Sequence, residues 1–234
     1  MERVRGLFPK VYSYDSLLCA YEQARQDEGY SEAASGFSAN LEENLINIQN
    51  HLMHKSYEVG FYRDPGKEWL VTLLPFCDHV VQWAIYNTLS PIFAKPPDTV
   101  NGCYLPKKQY CLKIDTSGCF FQVDHNILLN IIRKKIDDED FMWLSEKVIG
   151  YEQSFGLPPA SFTSGLFEEI YLSEIDRYVK CELRISHYLR CPREVIISSD
   201  DWVEIQQLKD DVGNFLFYNL RLNFVYVLED KMKI

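Results

Sequence analysis

Residues 185–199 read Ile185-Ser186-His187-Tyr188-Leu189-Arg190-Cys191-Pro192-Arg193-Glu194-Val195-Ile196-Ile197-Ser198-Ser199. Two runs suited to extended backbone, 185–190 and 195–199, flank the four residues Cys191-Pro192-Arg193-Glu194, and the stretch predicts a β-hairpin with a tight turn. Upstream, a helix is expected over 163–183, with Leu166, Phe167, Ile170, Ile175 and Val179 turned inward. Downstream, Ile205, Leu208, Val212, Phe215 and Leu216 mark another helix, and Leu220, Leu222, Phe224, Tyr226 and Leu228 alternate as a last strand. A short strand over 110–114 opens this half, followed by a helix that Asp124 caps and a second helix over 141–149. Leaving the inserted helices aside, the order is strand, helix, strand, strand, helix, strand. That order predicts an α+β fold, a split βαβ (ferredoxin-like) antiparallel sheet with helices on one face.

The first half reads as mostly helical. Asp15 is placed as the N-cap of a helix over 15–26, and Leu41, Leu45, Ile48 and Leu52 recur at three- and four-residue steps in a helix over 38–54. Segments 57–63 and 69–74 look extended around Asp64-Pro65-Gly66-Lys67, which is turn chemistry. A helix over 78–89 buries Val81, Ala84, Ile85, Thr88 and Leu89, and the chain is expected to break at Pro91, Pro96 and Pro97. Segment 95–109 has no periodicity and is taken as the boundary between two lobes, 1–109 and 110–234.

With 47% hydrophobic and 25% charged residues among 234, the chain has the composition of a folded globular protein. It holds no run of about eighteen apolar residues, and its start lacks the apolar stretch of a secretory signal, so a cytoplasmic protein without a membrane span is expected. Seven widely scattered cysteines without a C-x-x-C pair predict buried free thiols, not a metal knuckle. His51 and His54 are three apart but have no matching ligand pair, and are expected at the surface. The formal charge of −10 opposes contact with phosphate backbones, because such affinity comes from Lys and Arg displacing counterions. Nucleic-acid binding is therefore expected to be weak or absent.

Four stretches resemble the reverse transcriptases of diversity-generating retroelements and group II introns. Leu74-Pro75-Phe76-Cys77-Asp78-His79-Val80-Val81-Gln82, with Pro91-Ile92-Phe93, is similar to the family's L-P-F-R-D-R-V-V-Q…P-I-F. Leu112-Lys113-Ile114-Asp115, with Phe120 and Val123-Asp124-His125, is similar to L-K-x-D…F…I-D-H. Gly156-Leu157-Pro158, Thr163-Ser164, Phe167, Tyr171-Leu172 and Asp176 follow G-L-P-x-G-x-x-T-S-Q-x-F…Y-L…D, and His187-Tyr188-Leu189-Arg190 with Ser199-Asp200-Asp201 resemble the flanks of the Y-x-D-D hairpin.

The resemblance implies the fingers (within 1–109) and palm (110–234) of a right-hand polymerase, whose clustered carboxylates hold two Mg²⁺ ions. Asp115 matches the family's first catalytic aspartate, and Y-x-D-D falls on Cys191-Pro192-Arg193-Glu194. Arg193 thus replaces one turn aspartate and Glu194 the other, and Arg193 is expected to pair with Asp115. Asp200 and Asp201 are read as the start of the following helix, Asp124 as an N-cap, and Glu168-Glu169 as a solvated helix face. Cys77, His79, Ala160 and Gly165 stand where the family has Arg, Arg, Gly and Gln. Against the resemblance, too little chain separates Phe93 from Asp115 for the family's basic segment, and the stretch after Tyr226 leaves no room for a primer grip or thumb. The palm half carries 14 Lys and Arg against 21 Asp and Glu. These departures point to a pseudoenzyme without cofactor, serving as a binding or scaffolding partner of another protein. The alternative is an active RNA-directed DNA polymerase or nucleotidyltransferase using Asp115 and Glu194 with two Mg²⁺. A third possibility is an unrelated activity in another pocket.

Overall fold

Helix α1 (Phe8–Tyr12), α2 (Tyr14–Glu28), α3 (Glu32–Ala39) and α4 (Leu41–Met53) open the chain. A two-stranded antiparallel pair, β1 (Tyr62–Arg63) and β2 (Thr72–Leu73), then leads to α5 (Phe76–Phe93). The computed structural model describes residues 3–28, 31–60, 62–63, 72–93, 108–150, 155–158, 162–191 and 193–230. The turn expected at 64–67 and most of the expected lobe boundary lie outside them.

Among the helices of the first half, three boundaries differ from the sequence reading. Ser13, not Asp15, caps α2, its hydroxyl accepting from the Ser16 N–H at 3.3 Å, while Asp15 sits in the first turn. The helix expected over 38–54 is two helices, broken at Asn40 (φ −130°), where the side-chain amide of Asn44 donates to the Phe37 carbonyl at 2.9 Å. An alternative hydrogen-bond partner for that carbonyl makes the break inexpensive. Helix α5 runs through Pro91 to Phe93, and the Ile92 carbonyl accepts from the Lys135 ammonium at 3.2 Å. A proline this near a C-terminus removes one hydrogen bond without ending the helix at once.

The second half is built as the hairpin reading requires. It comprises β3 (Tyr110–Asp115), α6 (His125–Arg133), α7 (Glu139–Ile149), α8 (Ser164–Arg177), β4 (Tyr188–Cys191), β5 (Glu194–Ser199), α9 (Trp202–Asn214) and β6 (Val225–Asp230). The four strands stand in the order β4-β5-β3-β6, every neighbouring pair antiparallel, which is the split βαβ arrangement. Asp124, Asp138 and Asp201 cap α6, α7 and α9 by accepting from the backbone N–H groups of Ile127, Phe141 and Val203. Helices α8 and α9 both end in a π-helical turn, Tyr178–Glu182 and Phe215–Asn219, and the rings of Tyr178 and Phe215 stack there at 4.1 Å. The last strand starts later than the alternation implies. Leu220 and Leu222 are buried in the connection instead, and Arg221 between them adopts the left-handed φ of 53°.

Cross-strand partners share a face, so the register sorts the sheet's side chains. Leu112, Ile114, Val195 and Ile197 lie beneath the helices and are fully buried. Asp115, Lys113, Glu194, Ile196, Val225 and Val227 lie on the opposite face. Buried apolar side chains from both halves form one hydrophobic cluster. The start of the chain also reaches across. Val4 bridges to Ile136, and one oxygen of Asp138 accepts from the Leu7 and Phe8 N–H groups at 2.7 and 3.0 Å while the other caps α7.

Candidate functional site

The hairpin and β3 bring Asp115 and Glu194 side by side as cross-strand partners at the turn end of the sheet. The row continues outward to Cys191 on β4 and to Val225 on β6, and the next row holds Leu189, Ile196, Lys113 and Val227. This end of the face is open, with Val225 67% and Val227 47% exposed; the far end is closed, since Cys111 and Ser198 are buried.

Asp115 is exposed, and its carboxylate is held below the usual range by hydrogen bonds from Ser117, whose N–H lies at 2.9 Å, with the charge of Arg193 a smaller cause. The expected Arg193–Asp115 ion pair is not formed. Arg193 is exposed and joins this strand end through its backbone, the carbonyl accepting from the Thr116 N–H at 2.9 Å. Water solvates both groups at this position, so a direct pair would gain little for the side-chain order it demands. Lys113 pairs with Glu229 at 2.8 Å; that hydrogen bond and then the charges of Glu229 and Glu194 hold its ammonium above the usual range. Pro192 lies outside the described residues.

Two carboxylates beside a guanidinium and an ammonium do not fit a two-metal centre, which needs several acidic oxygens around ions about 4 Å apart. Among the described residues no group of three or more His, Cys, Asp or Glu side chains gathers as a metal site.

The opposite side of the hairpin carries a cluster that sequence reasoning named only as motif flanks. Asp176 of α8, 5% exposed, accepts from the Tyr188 hydroxyl at 2.5 Å and from two Arg190 nitrogens at 3.0 and 3.2 Å, and Arg190 also pairs with Glu169 at 2.9 Å. Burial works against the Arg190 charge, but the bonds and charge of Asp176 outweigh it and raise its pKa. Burial and the Asp176 charge raise the Tyr188 hydroxyl as well. Every strong donor and acceptor there has a partner, so the cluster is suited to holding β4 against α8 and not to chemistry. Residues 176 and 190 are too far apart in the chain for spacing to reveal their pairing.

Other motif residues are structural too. Asp78, 1% exposed, accepts from the Tyr57 hydroxyl at 2.5 Å and the Gly60 N–H at 2.9 Å; burial raises its pKa to about 6. Asp124 adds an ion pair with Arg221 at 2.6 Å to its capping role. Asp200 binds Lys108 at 2.6 Å, away from Asp115. The reading of Glu168-Glu169 as fully solvated is corrected for Glu168, which is half-buried and raised in pKa by burial and then by Glu169. His51 and His54 are exposed, as expected. Cys111 and Cys119 are buried thiols outside any disulfide, whereas Cys19 and Cys181 are exposed, because they fall on the outer sides of their helical segments; Cys103 lies outside the described residues. A cleft of about 1070 Å³ lies in the first half, bounded by Phe37, Asn44, Ile48, Tyr57, Phe76 and Asp78; neither Asp115 nor Glu194 lines it. No described helix is long and apolar enough to cross a membrane.

Fold and site together define an α+β protein whose antiparallel sheet presents an acid pair at the turn end of its two central strands, β3 and β5. No family model matches the chain. It is similar to the group II intron-encoded protein LtrA of Lactococcus lactis, 24% identical over 224 residues, covering 76% of this chain and 36% of that relative. It is also similar to the putative COX1/OXI3 intron 2 protein of Saccharomyces cerevisiae, 32% identical over 85 residues, which are 31% of this chain and 10% of that relative. The chain thus spans about a third of one relative's length and a tenth of the other's.

Proposed function

We propose that this chain is a reverse-transcriptase-like protein, with fingers and palm, that does not polymerise nucleic acid and acts as a binding or scaffolding partner of another protein. Its setting would be the cytoplasm, within a retroelement or prophage system. The observation that carries the reading is the hairpin tip. There Asp115 and Glu194 are cross-strand partners with Arg193 next to them in the turn, its charge acting on Asp115, so positive charge stands close to where two divalent ions would have to be held. The similarity to intron-encoded proteins supports the polymerase-like ancestry. The −10 charge and the exposed valines beside Asp115 favour a protein partner over a nucleic acid.

The cross-strand acid pair favours one alternative, an RNA-directed DNA polymerase or nucleotidyltransferase using Asp115 and Glu194 with two Mg²⁺. Calorimetric titration with Mg²⁺ and Mn²⁺ separates the two. The natural chain should show no saturable binding at the hairpin, and Asp115→Ala should change nothing. Two bound ions lost in Asp115→Ala, together with primer extension, would overturn the reading.

A further inference from the structure

The cleft of about 1070 Å³ in the first half is lined by α3, α4, the segment 56–60 and the start of α5. Neither Asp115 nor Glu194 lines it, so its occupancy goes beyond the reading of the hairpin and does not rest on it. Phe37, Ile48, Tyr57, Leu74 and Phe76 give it an apolar lining. Along α4, Asn40, Asn44, Asn47 and His51 border the same space at steps of four, three and four residues, a single helix face about 16 Å long. Asn44 donates to the Phe37 carbonyl at 2.9 Å, leaving its side-chain oxygen as an acceptor. The exposed side-chain amides of Asn40 and Asn47 have no hydrogen-bond partner among the described residues.

The chemistry of this lining selects the occupant. No lysine or arginine lines the cleft, and its charged groups are engaged: Glu58 pairs with Lys147 at 2.5 Å, and Asp78 accepts from Tyr57 and Gly60. His51 is joined to the Ser56 hydroxyl at 3.0 Å. Phosphates would find no lysine or arginine there, so the cleft is not matched to a nucleotide or a nucleic-acid strand. A carboxamide both donates and accepts, as a peptide group does, so a row of them matches backbone whose hydrogen bonds are still unmade. A bound helix satisfies its own backbone and would leave that row idle. Extended backbone rises about 3.3 Å per residue, so about five residues run the length of the row. We infer that the cleft takes an extended, uncharged segment of another protein. Its peptide groups pair with the asparagine row of α4, and its apolar side chains lie against Phe37, Ile48 and Phe76.

The test pans a random heptapeptide display library against the full chain and titrates the enriched peptides, made synthetically with a fluorescent label, by anisotropy. They should be rich in apolar residues and poor in charged ones. Asn40→Ala with Asn47→Ala, which alters exposed side chains only, should weaken their binding by about tenfold. Methylating the peptide's backbone nitrogens, which keeps its side chains, should weaken it in the same direction. So should Gly36→Leu, because a Cβ at this cleft-lining position meets nothing within 4 Å and the added side chain takes up space without a clash. The exposed Val203→Asn on α9 should change nothing. Failure to enrich any peptide over a protein-free control would overturn the inference, as would equal affinity for the natural chain and the asparagine and Gly36 variants. Binding of an RNA oligonucleotide, or a dimer in sedimentation, that the same substitutions abolish would overturn it too. A failed panning with a flat metal titration removes the cleft and leaves the hairpin reading; ions bound at Asp115 remove the hairpin reading and leave the cleft.

Discussion

Asp115 and Asp176 flank the same sheet from opposite sides, and both stand in motifs that resemble those of polymerases. Asp176 is enclosed and answered by Arg190 and Tyr188, each of which it holds in place. Asp115 is exposed, answered mainly by the turn at Ser117, and shares its row with Glu194 and an exposed valine. The difference teaches where such a protein is constrained by folding. Beneath the helices an unpaired charge would be costly, so the charges of Asp176 and Arg190 are matched there. On the open face water can solvate a replaced side chain, so an aspartate can become an arginine without harm to the fold.

The largest test removes the buried partner. Asp176→Ala leaves the Arg190 charge enclosed and should lower stability by about 3–5 kcal/mol in urea denaturation. A loss within error would erase the contrast between the two faces. Asp78 carries the comparison into the other half. Its carboxyl is raised from 3.8 to about 6, so the folded chain holds this proton more tightly than the unfolded chain. The group's contribution is therefore complete below about pH 4 and is lost as pH rises through about 6, an effect of roughly 1–3 kcal/mol. Stability curves for the natural protein and Asp78→Asn should differ in slope across that window, and parallel curves would count against a buried, protonated Asp78. A smaller change is expected from Asp201→Ala, which removes the N-cap of α9 and should cost about 1 kcal/mol. Asp115→Ala, at the bottom of the scale, should leave the denaturation midpoint where it was.

Much of the second half was legible in the sequence because its signals are local. The hairpin shows as two extended runs around a short turn, and Asp124 and Asp201 announce helix starts by their chemistry. Local signals also misled where two readings compete. Asp15 resembles an N-cap but follows the true one, Ser13, and the alternation after Leu220 continues past a turn that is not strand.

Composition, periodicity and turn chemistry determined the α+β class and the order of the strands along the chain. Tertiary structure decided the rest: the lateral strand order, the meeting of Asp115 with Glu194, the failure of Arg193 to pair with Asp115, and the closed network around Asp176. Each of these depends on groups distant in sequence and on whether water reaches them, and a linear pattern records neither.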